Sequence, residues 1–107
     1  MEIQINTDNS ISGTASMIDE MRERLEDRLS RRFGSRLTRL EVHIRDIDGD
    51  SNRSDGVEAQ IEARPANGDP VSVSERAGDP MQAFNAALVP LVARLSTLFG
   101  KRERVRG

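Results

Sequence analysis

Residues 40–45, Leu40-Glu41-Val42-His43-Ile44-Arg45, and residues 57–64, Val57-Glu58-Ala59-Gln60-Ile61-Glu62-Ala63-Arg64, alternate apolar with polar or charged side chains. Successive side chains of a β-strand point to opposite faces, so this alternation predicts two strands that each bury one face. The polar segment from Asp46 to Gly56 lies between them and predicts a connecting loop. An antiparallel pair is therefore the expected centre of the fold.

Two further strands are expected on either side of this pair. Residues 65–70 are dense in turn formers, and Asn67-Gly68 suits a turn with positive φ. Residues 71–74 then alternate Val with Ser, which predicts a short last strand. At the N-terminus, residues 3–6 alternate Ile with polar side chains, which predicts a first strand ending in the polar residues 7–12.

Two amphipathic helices complete the pattern. The N-terminal helix is predicted from Ser16, a plausible N-cap, to Gly34. Its apolar stripe is Ile18, Met21, Leu25, Leu29 and Phe33. The C-terminal helix is predicted from Asp79-Pro80, an N-cap followed by Pro at the first helical position, to Gly100. Its stripe is Phe84, Leu88, Leu91, Leu95 and Leu98.

The order strand, helix, three strands, helix predicts an α+β fold. The first crossover makes strands one and two parallel, the hairpins make the rest antiparallel, and both helices cover one face of a four-stranded mixed sheet. We expect one domain over residues 1–100, followed by a flexible basic tail at residues 101–107.

The composition limits the classes of function that the chain can have. The chain has 107 residues, 16 basic and 18 acidic side chains and no Cys. The near-balance predicts no overall attraction to polyanions, and the absence of Cys suits a reducing compartment. Without a signal-peptide pattern or an apolar run long enough to cross a bilayer, we expect a cytoplasmic protein with no membrane partner.

Catalytic chemistry is not expected. His43 is the only imidazole and lies at an outward strand position, so no metal site or nucleophile–base pair can be built from the usual groups. The acidic segment Asp46-Ile47-Asp48-Gly49-Asp50 begins like a calcium loop, but Ser51 and Val57 replace the required Gly and Glu. We expect no enzyme, cofactor or metal.

Several stretches together resemble the ribosome hibernation-promoting and ribosome-associated inhibitor family. They are residues 3–7 (Ile-Gln-Ile-Asn-Thr), residues 25–31 (Leu-Glu-Asp-Arg-Leu-Ser-Arg), residues 40–44, and Asp79 with Ala83, Phe84, Leu88, Leu91 and Leu95. The resemblance covers about residues 1–99. It implies a fold similar to double-stranded-RNA-binding domains and binding to the small ribosomal subunit where messenger and transfer RNAs sit. Longer members add a C-terminal dimerisation domain, and the resemblance implies the short form without it.

Such a role requires a basic surface, since phosphate contacts supply most sequence-independent RNA affinity. On a regular helical wheel Arg24, Arg28 and Arg31 share one flank of the N-terminal helix. The opposite flank then carries Asp19, Glu23, Glu26 and Asp27. Arg28 and Arg31 also match positions where the family is basic. The alternative is a solvated face with internal pairs such as Glu20–Arg24, Arg24–Asp27 or Asp27–Arg31. We further assign RNA contact to Arg94, Lys101 and Arg102.

The C-terminal helix departs from the family, which carries basic residues at the positions of Pro90, Ala93 and Thr97. Arg94 is its only charged residue between Asp79 and Lys101. Pro90 is expected to kink the helix. Either this outer face has drifted to neutrality, or Val89, Pro90 and Ala93 make a protein contact, most simply in a weak symmetric dimer.

Two hypotheses follow. The first is a factor that binds the small subunit and its ribosomal RNA and blocks the decoding region by steric occupancy. The second is a protein of the same fold that has lost RNA binding and acts through protein contacts on the C-terminal helix.

Overall fold

The computed structural model describes residues 1–8, 11, 14–47 and 56–105, with the backbone alone for Thr14 and residues 101–105. The strands are β1 (Glu2–Thr7), β2 (Leu37–Asp46), β3 (Val57–Pro65) and β4 (Val71–Ala77). The N-terminal helix comprises α1 (Thr14–Leu25), a π-helical turn (Glu26–Ser30) and α2 (Arg31–Phe33), and a 3-10 turn (Gly34–Arg36) follows it. The C-terminal helix is α3 (Pro80–Val105).

The strands form one mixed sheet in the order β1-β2-β3-β4. β1 runs parallel to β2, with Ile3 opposite Leu40. The pairs β2–β3 and β3–β4 are antiparallel, with Val42 opposite Ile61 and Ile61 opposite Val73. The predicted fold class is confirmed, including the parallel first pair.

The core lies between the sheet and the two helices. Alternate residues of β2 and β3 are buried on one face, as their sequence alternation predicts, and the helices bury their apolar stripes against them. The fully buried large side chains are Met21, Leu25, Leu29, Leu40, Val42, Ile44, Ile61, Phe84, Leu91 and Leu95. The other face of the sheet bears polar and charged side chains, and none of the described helices covers it.

The N-terminal helix is not a regular α-helix. Its buried residues Met21, Leu25, Leu29 and Phe33 are spaced by four. Each four-residue step on an α-helix overshoots a full turn by about 40°, so the stripe would wind off the sheet. The wider π-helical turn at Glu26–Ser30 reduces this drift and keeps Leu29 and Phe33 in the core.

The start of this helix was predicted wrongly. It begins at Thr14, and Ser16 lies inside it and not at its cap.

Two glycines at predicted helix ends behave differently. Gly34 takes φ +54° and ends the N-terminal helix, as expected. Gly100 stays helical, and α3 continues to Val105, so the prediction that the helix stops at Gly100 is wrong. Glycine stops a helix when it enters the left-handed region, and composition alone cannot show whether it does.

The start of α3 follows the prediction. Asp79 Oδ1 accepts hydrogen bonds from the backbone N–H groups of Met81 (2.9 Å) and Gln82 (3.3 Å), and Pro80 opens the helix. Pro90 lies within α3, and the helix extends beyond it on both sides. By length and composition Pro80–Gly100 could cross a membrane, contrary to the sequence prediction, yet here it packs Phe84, Leu91 and Leu95 against the sheet.

Candidate nucleic-acid interface

Arg24 is held by neighbours in the fold. Its Nη2 contacts Glu20 Oε1 at 3.0 Å, and its Nη1 donates to Asn85 Oδ1 at 3.1 Å. The second bond joins the N-terminal helix to α3 across the outer surface. Any phosphate contact by Arg24 must therefore compete with two existing partners.

Arg28 and Arg31 are the more available cations of this helix. Arg31 Nη1 contacts Asp27 Oδ1 at 3.1 Å, but its side chain remains 80% exposed. Within the described residues Arg28 is exposed and makes no hydrogen bond or ion pair. Two of the internal pairs considered from sequence, Glu20–Arg24 and Asp27–Arg31, are thus present.

The expected separation of charge across the N-terminal helix does not hold. One shallow groove on its outer face is lined by acids and bases together: Glu20, Glu23, Arg24, Glu26, Asp27, Arg28 and Arg31. The prediction assumed 100° per residue throughout, whereas the π-helical turn carries Asp27 and Arg28 and changes their angular positions. Arg28 and Arg31 therefore stand among carboxylates and not on a purely basic flank.

Arg94 lies on a different side of the domain. Its Nη1 donates to the backbone oxygen of Ser72 on β4 at 3.0 Å, so α3 carries it toward the sheet edge. Lys101 and Arg102 lie beyond Phe99 in the last turns of α3, and their side chains are outside the description. Among the described side chains, Arg94 therefore lies apart from the groove that holds Arg24, Arg28 and Arg31.

Sequence reasoning missed two arginines at the end of the N-terminal helix. Arg32 Cζ lies 5.6 Å from the centre of the Phe33 ring, and Arg36 Cζ lies 5.5 Å from that of Phe99. The two rings contact each other at 5.2 Å between centroids and are tilted by 49°. We call these four residues the Arg–Phe array. The signal was present, since residues 28–40 hold five Arg and no Asp or Glu.

The open face of the sheet has its charges paired. Arg39 contacts Glu41 at 3.0 Å, Arg64 contacts Glu62 at 3.3 Å, and Glu58 lies between Arg45 and Arg76. Glu2 also lies 3.7 Å from Arg39, so four carboxylates balance these four arginines and this face offers no excess positive potential. It is a poor candidate for binding a phosphate backbone.

His43 lies on this open face beside Glu41. Its Nε2 is 3.4 Å from Glu41 Oε1. A hydrogen bond from His43 and the nearby Arg39 guanidinium hold the pKa of Glu41 below its usual value, against the opposing effect of desolvation. No group of three or more potential metal ligands occurs in the described part of the chain. The acidic segment that resembles a calcium loop falls mostly outside that part.

The outer face of α3 presents the neutral surface expected from its sequence. Val89 is 66% exposed and Ala93 is exposed, while Pro90 is half-buried. A shallow apolar groove lies on the β4 side of this helix, lined by Val71, Ala93, Arg94, Thr97 and Leu98.

The architecture defines the class of protein: it is a single α+β domain in which two helices cover one face of a four-stranded mixed sheet. This fold is similar to that of the Protein Y N-terminal domain from Thermus thermophilus, at 21% identity and a TM-score of 0.69 over 92% of this chain and 99% of that one. It is also similar to a ribosomal subunit interface protein from Coxiella burnetii, at 14% identity and a TM-score of 0.68 over 94% and 99%.

No family model matches the sequence, and no curated protein is similar to it at the sequence level. At such identities the structural likeness establishes the fold. This likeness confirms the fold that the resemblance to the ribosome hibernation-promoting family implied.

Proposed function

We propose that this protein is a cytoplasmic ribosome-associated factor that binds the small subunit and blocks its decoding region by occupying it, without catalysis. The observation that carries the proposal is the fold, which is similar over 94% of the chain to a protein named for the ribosomal subunit interface. The structural likeness also covers 99% of the chain in that structure.

Contacts to ribosomal RNA are assigned first to Arg28 and Arg31. Arg28 has no partner among the described residues, and the single exposed ion pair of Arg31 costs little to replace by a phosphate. Lys101 and Arg102 extend this set from the last turns of α3. Arg24 and Arg94 act as secondary contacts, because each must first give up a hydrogen bond within the domain.

Sedimentation with purified small subunits tests the proposal. We expect about four to six phosphate contacts. The logarithm of the association constant for the small subunit should then fall by roughly 0.7 to 0.9 per contact for each tenfold rise in salt concentration. Occupancy of the decoding region further predicts that bound transfer RNA and this protein exclude each other. Absence of co-sedimentation at low salt, or simultaneous binding with transfer RNA, would overturn this function.

The neutral surface of α3 supports the second function, a protein contact made through Val89, Pro90 and Ala93. An exposed helix normally carries charge on its water side, and none occurs here between Asp79 and Arg94. The partner is most simply a second copy of the chain, packed around a two-fold axis. Its test is the oligomeric state of the protein in solution.

A further inference from the structure

The positive charge of this acidic chain is concentrated in two segments. Residues 28–40 contain five basic and no acidic side chains, and residues 94–105 contain four basic and one acidic. Together they hold nine of the 16 basic residues and one of the 18 acidic residues. A net charge of −2 therefore conceals a strong separation of charge along the chain.

The Arg–Phe array joins these two segments. Phe33 is the last residue of the N-terminal helix, and Phe99 lies in α3. The centroids of their rings are 5.2 Å apart. Both rings are nearly buried, at 7% and 4% exposure, so their positions are fixed by the core. The contact places the basic end of one helix beside the basic end of the other.

The rings also position the guanidinium groups. Arg32 and Arg36 each lie within the range at which a guanidinium is attracted to an aromatic face. A guanidinium is planar and carries its N–H donors in that plane, in a fork that matches two phosphate oxygens. Holding the group against a ring before binding reduces the entropy lost when a phosphate is bound.

We infer that the Arg–Phe array is a phosphate-binding site for the backbone of structured RNA, with Arg32 and Arg36 as its ligands. This inference rests on the proposed function and adds to it a contact at the end of the domain, distinct from the outer face of the N-terminal helix. That outer face is lined by four carboxylates, whereas the two segments that meet at the array, residues 28–40 and 94–105, together hold nine basic residues and one acidic residue, Glu103.

The array also sets the orientation of the domain on RNA. Arg36 adjoins Leu37, where β2 begins, and Asp46 ends the same strand about 30 Å away. At that far end Asp8 Oδ2 accepts a hydrogen bond from Asp46 N at 3.0 Å, and Asp79 opens α3. The domain approaches RNA with the array leading and these carboxylates pointing away.

The test compares matched pairs of neutral substitutions in the full chain. Arg32→Gln with Arg36→Gln removes the array's charges. The control, Arg64→Gln with Arg76→Gln, removes two exposed charges from the open face of the sheet. A fluorescently labelled RNA duplex is titrated at several salt concentrations. Because the chain lacks Trp and Tyr, folding is checked by far-UV circular dichroism melts.

Loss of the two array contacts is expected to weaken duplex binding at least about tenfold at low salt and to reduce the salt slope by roughly 1.4 to 1.8. The control pair is expected to change binding less than about twofold, since both of its arginines lie on the open face of the sheet, away from the array. A third pair, Arg32→Lys with Arg36→Lys, keeps the charge and is expected to recover only part of the affinity.

Equal binding by the array pair and the control pair, or no duplex binding by the unmodified protein, would overturn the inference. Full recovery by the lysine pair would overturn the role of the rings. Sedimentation with small subunits separates this outcome from failure of the proposed function. If the array pair still co-sediments like the unmodified protein, the function stands and the array is not the contact.

Discussion

Arg24 on the N-terminal helix donates a hydrogen bond of 3.1 Å to the side-chain oxygen of Asn85 on α3. This contact spans the outer surface of both helices, which otherwise meet through the apolar core. Glu20, one turn before Arg24, holds the same guanidinium at 3.0 Å. A residue that the sequence suggested as an RNA ligand thus also connects two elements of the fold.

The first prediction concerns this connection. Arg24→Ala and Asn85→Ala should each destabilise the domain, and a double-mutant cycle should give a coupling of about 0.5 to 1 kcal/mol, because the bond is exposed but charge-assisted. Chemical denaturation followed by circular dichroism measures it. Strictly additive losses would show that the two side chains do not interact in solution.

The second prediction concerns Arg28 and Arg31. Replacing both by Glu should weaken association with small subunits strongly, since two attractive charges become repulsive. The melting temperature should change by no more than about a degree or two, because exposed charge pairs contribute little to stability.

Arg64→Glu with Arg76→Glu is the matched control for this reversal. It changes net charge equally on the open face of the sheet, so it reports the effect of total charge alone. If the control weakens sedimentation as much as the helix variant, then binding follows net charge and not a site on the N-terminal helix.

The third prediction concerns acid stability. The pKa of Glu41 is lower in the folded protein than its ordinary 4.5, chiefly because of the hydrogen bond from His43. The unfolded chain therefore binds a proton more readily, and the stabilisation is present above about pH 4.5 and lost as pH falls through the folded pKa.

Glu41→Gln removes this contribution. Its melting temperature should lie below that of the unmodified protein at about pH 6, and the difference should shrink toward about pH 3. Glu75→Gln provides the control, since Glu75 is exposed and has no ion pair among the described residues. A gap that stays constant with pH would contradict the assignment.

The fourth prediction concerns the neutral surface of α3. If it pairs two copies, sedimentation velocity should show a weak dimer between micromolar and near-millimolar protein, because three side chains within little more than one helical turn make a small contact beside the roughly 1,000 Å² of a stable interface. Val89→Lys should abolish it by placing like charges across the two-fold axis. Ser74→Lys on the open sheet face is the control and should leave association unchanged. A monomer throughout this range would remove the second function.

The sheet could be predicted from the sequence because its information is local. The alternation in β2 and β3 predicts which residues of each strand are buried. The turn around Asn67-Gly68 predicts that β4 pairs with β3, and Gly68 has the expected positive φ, 125°. The π-helical turn is different. Its sign is the unbroken four-residue spacing from Met21 to Phe33, which on its own is also compatible with an ordinary α-helix.

The Arg–Phe array shows what sequence reasoning could not supply. The density of Arg in residues 28–40 is visible, but Phe99 is 66 positions from Phe33, and no local rule pairs them. Conversely, the helical wheel groups Arg24 with Arg28 and Arg31 but contains no information on the hydrogen bond from Arg24 to Asn85. Long-range contacts between side chains decide which cations face a ligand, and these follow only from the packed fold.

The parallel pairing of β1 with β2 has a consequence for how the chain folds. Ile3 pairs with Leu40, 37 positions later, whereas Asp46 pairs with Val57 and Ala63 with Val71. Closing a longer loop costs more entropy before its contacts form, so we expect the hairpins β2–β3–β4 to assemble ahead of β1. Although β1 is synthesised first, we expect it to dock late, onto the edge of a sheet that β2, β3 and β4 have already formed. During synthesis β1 should therefore remain unpaired until β2 has been made. In native-state hydrogen exchange the amides of β1 should be the first in the sheet to exchange.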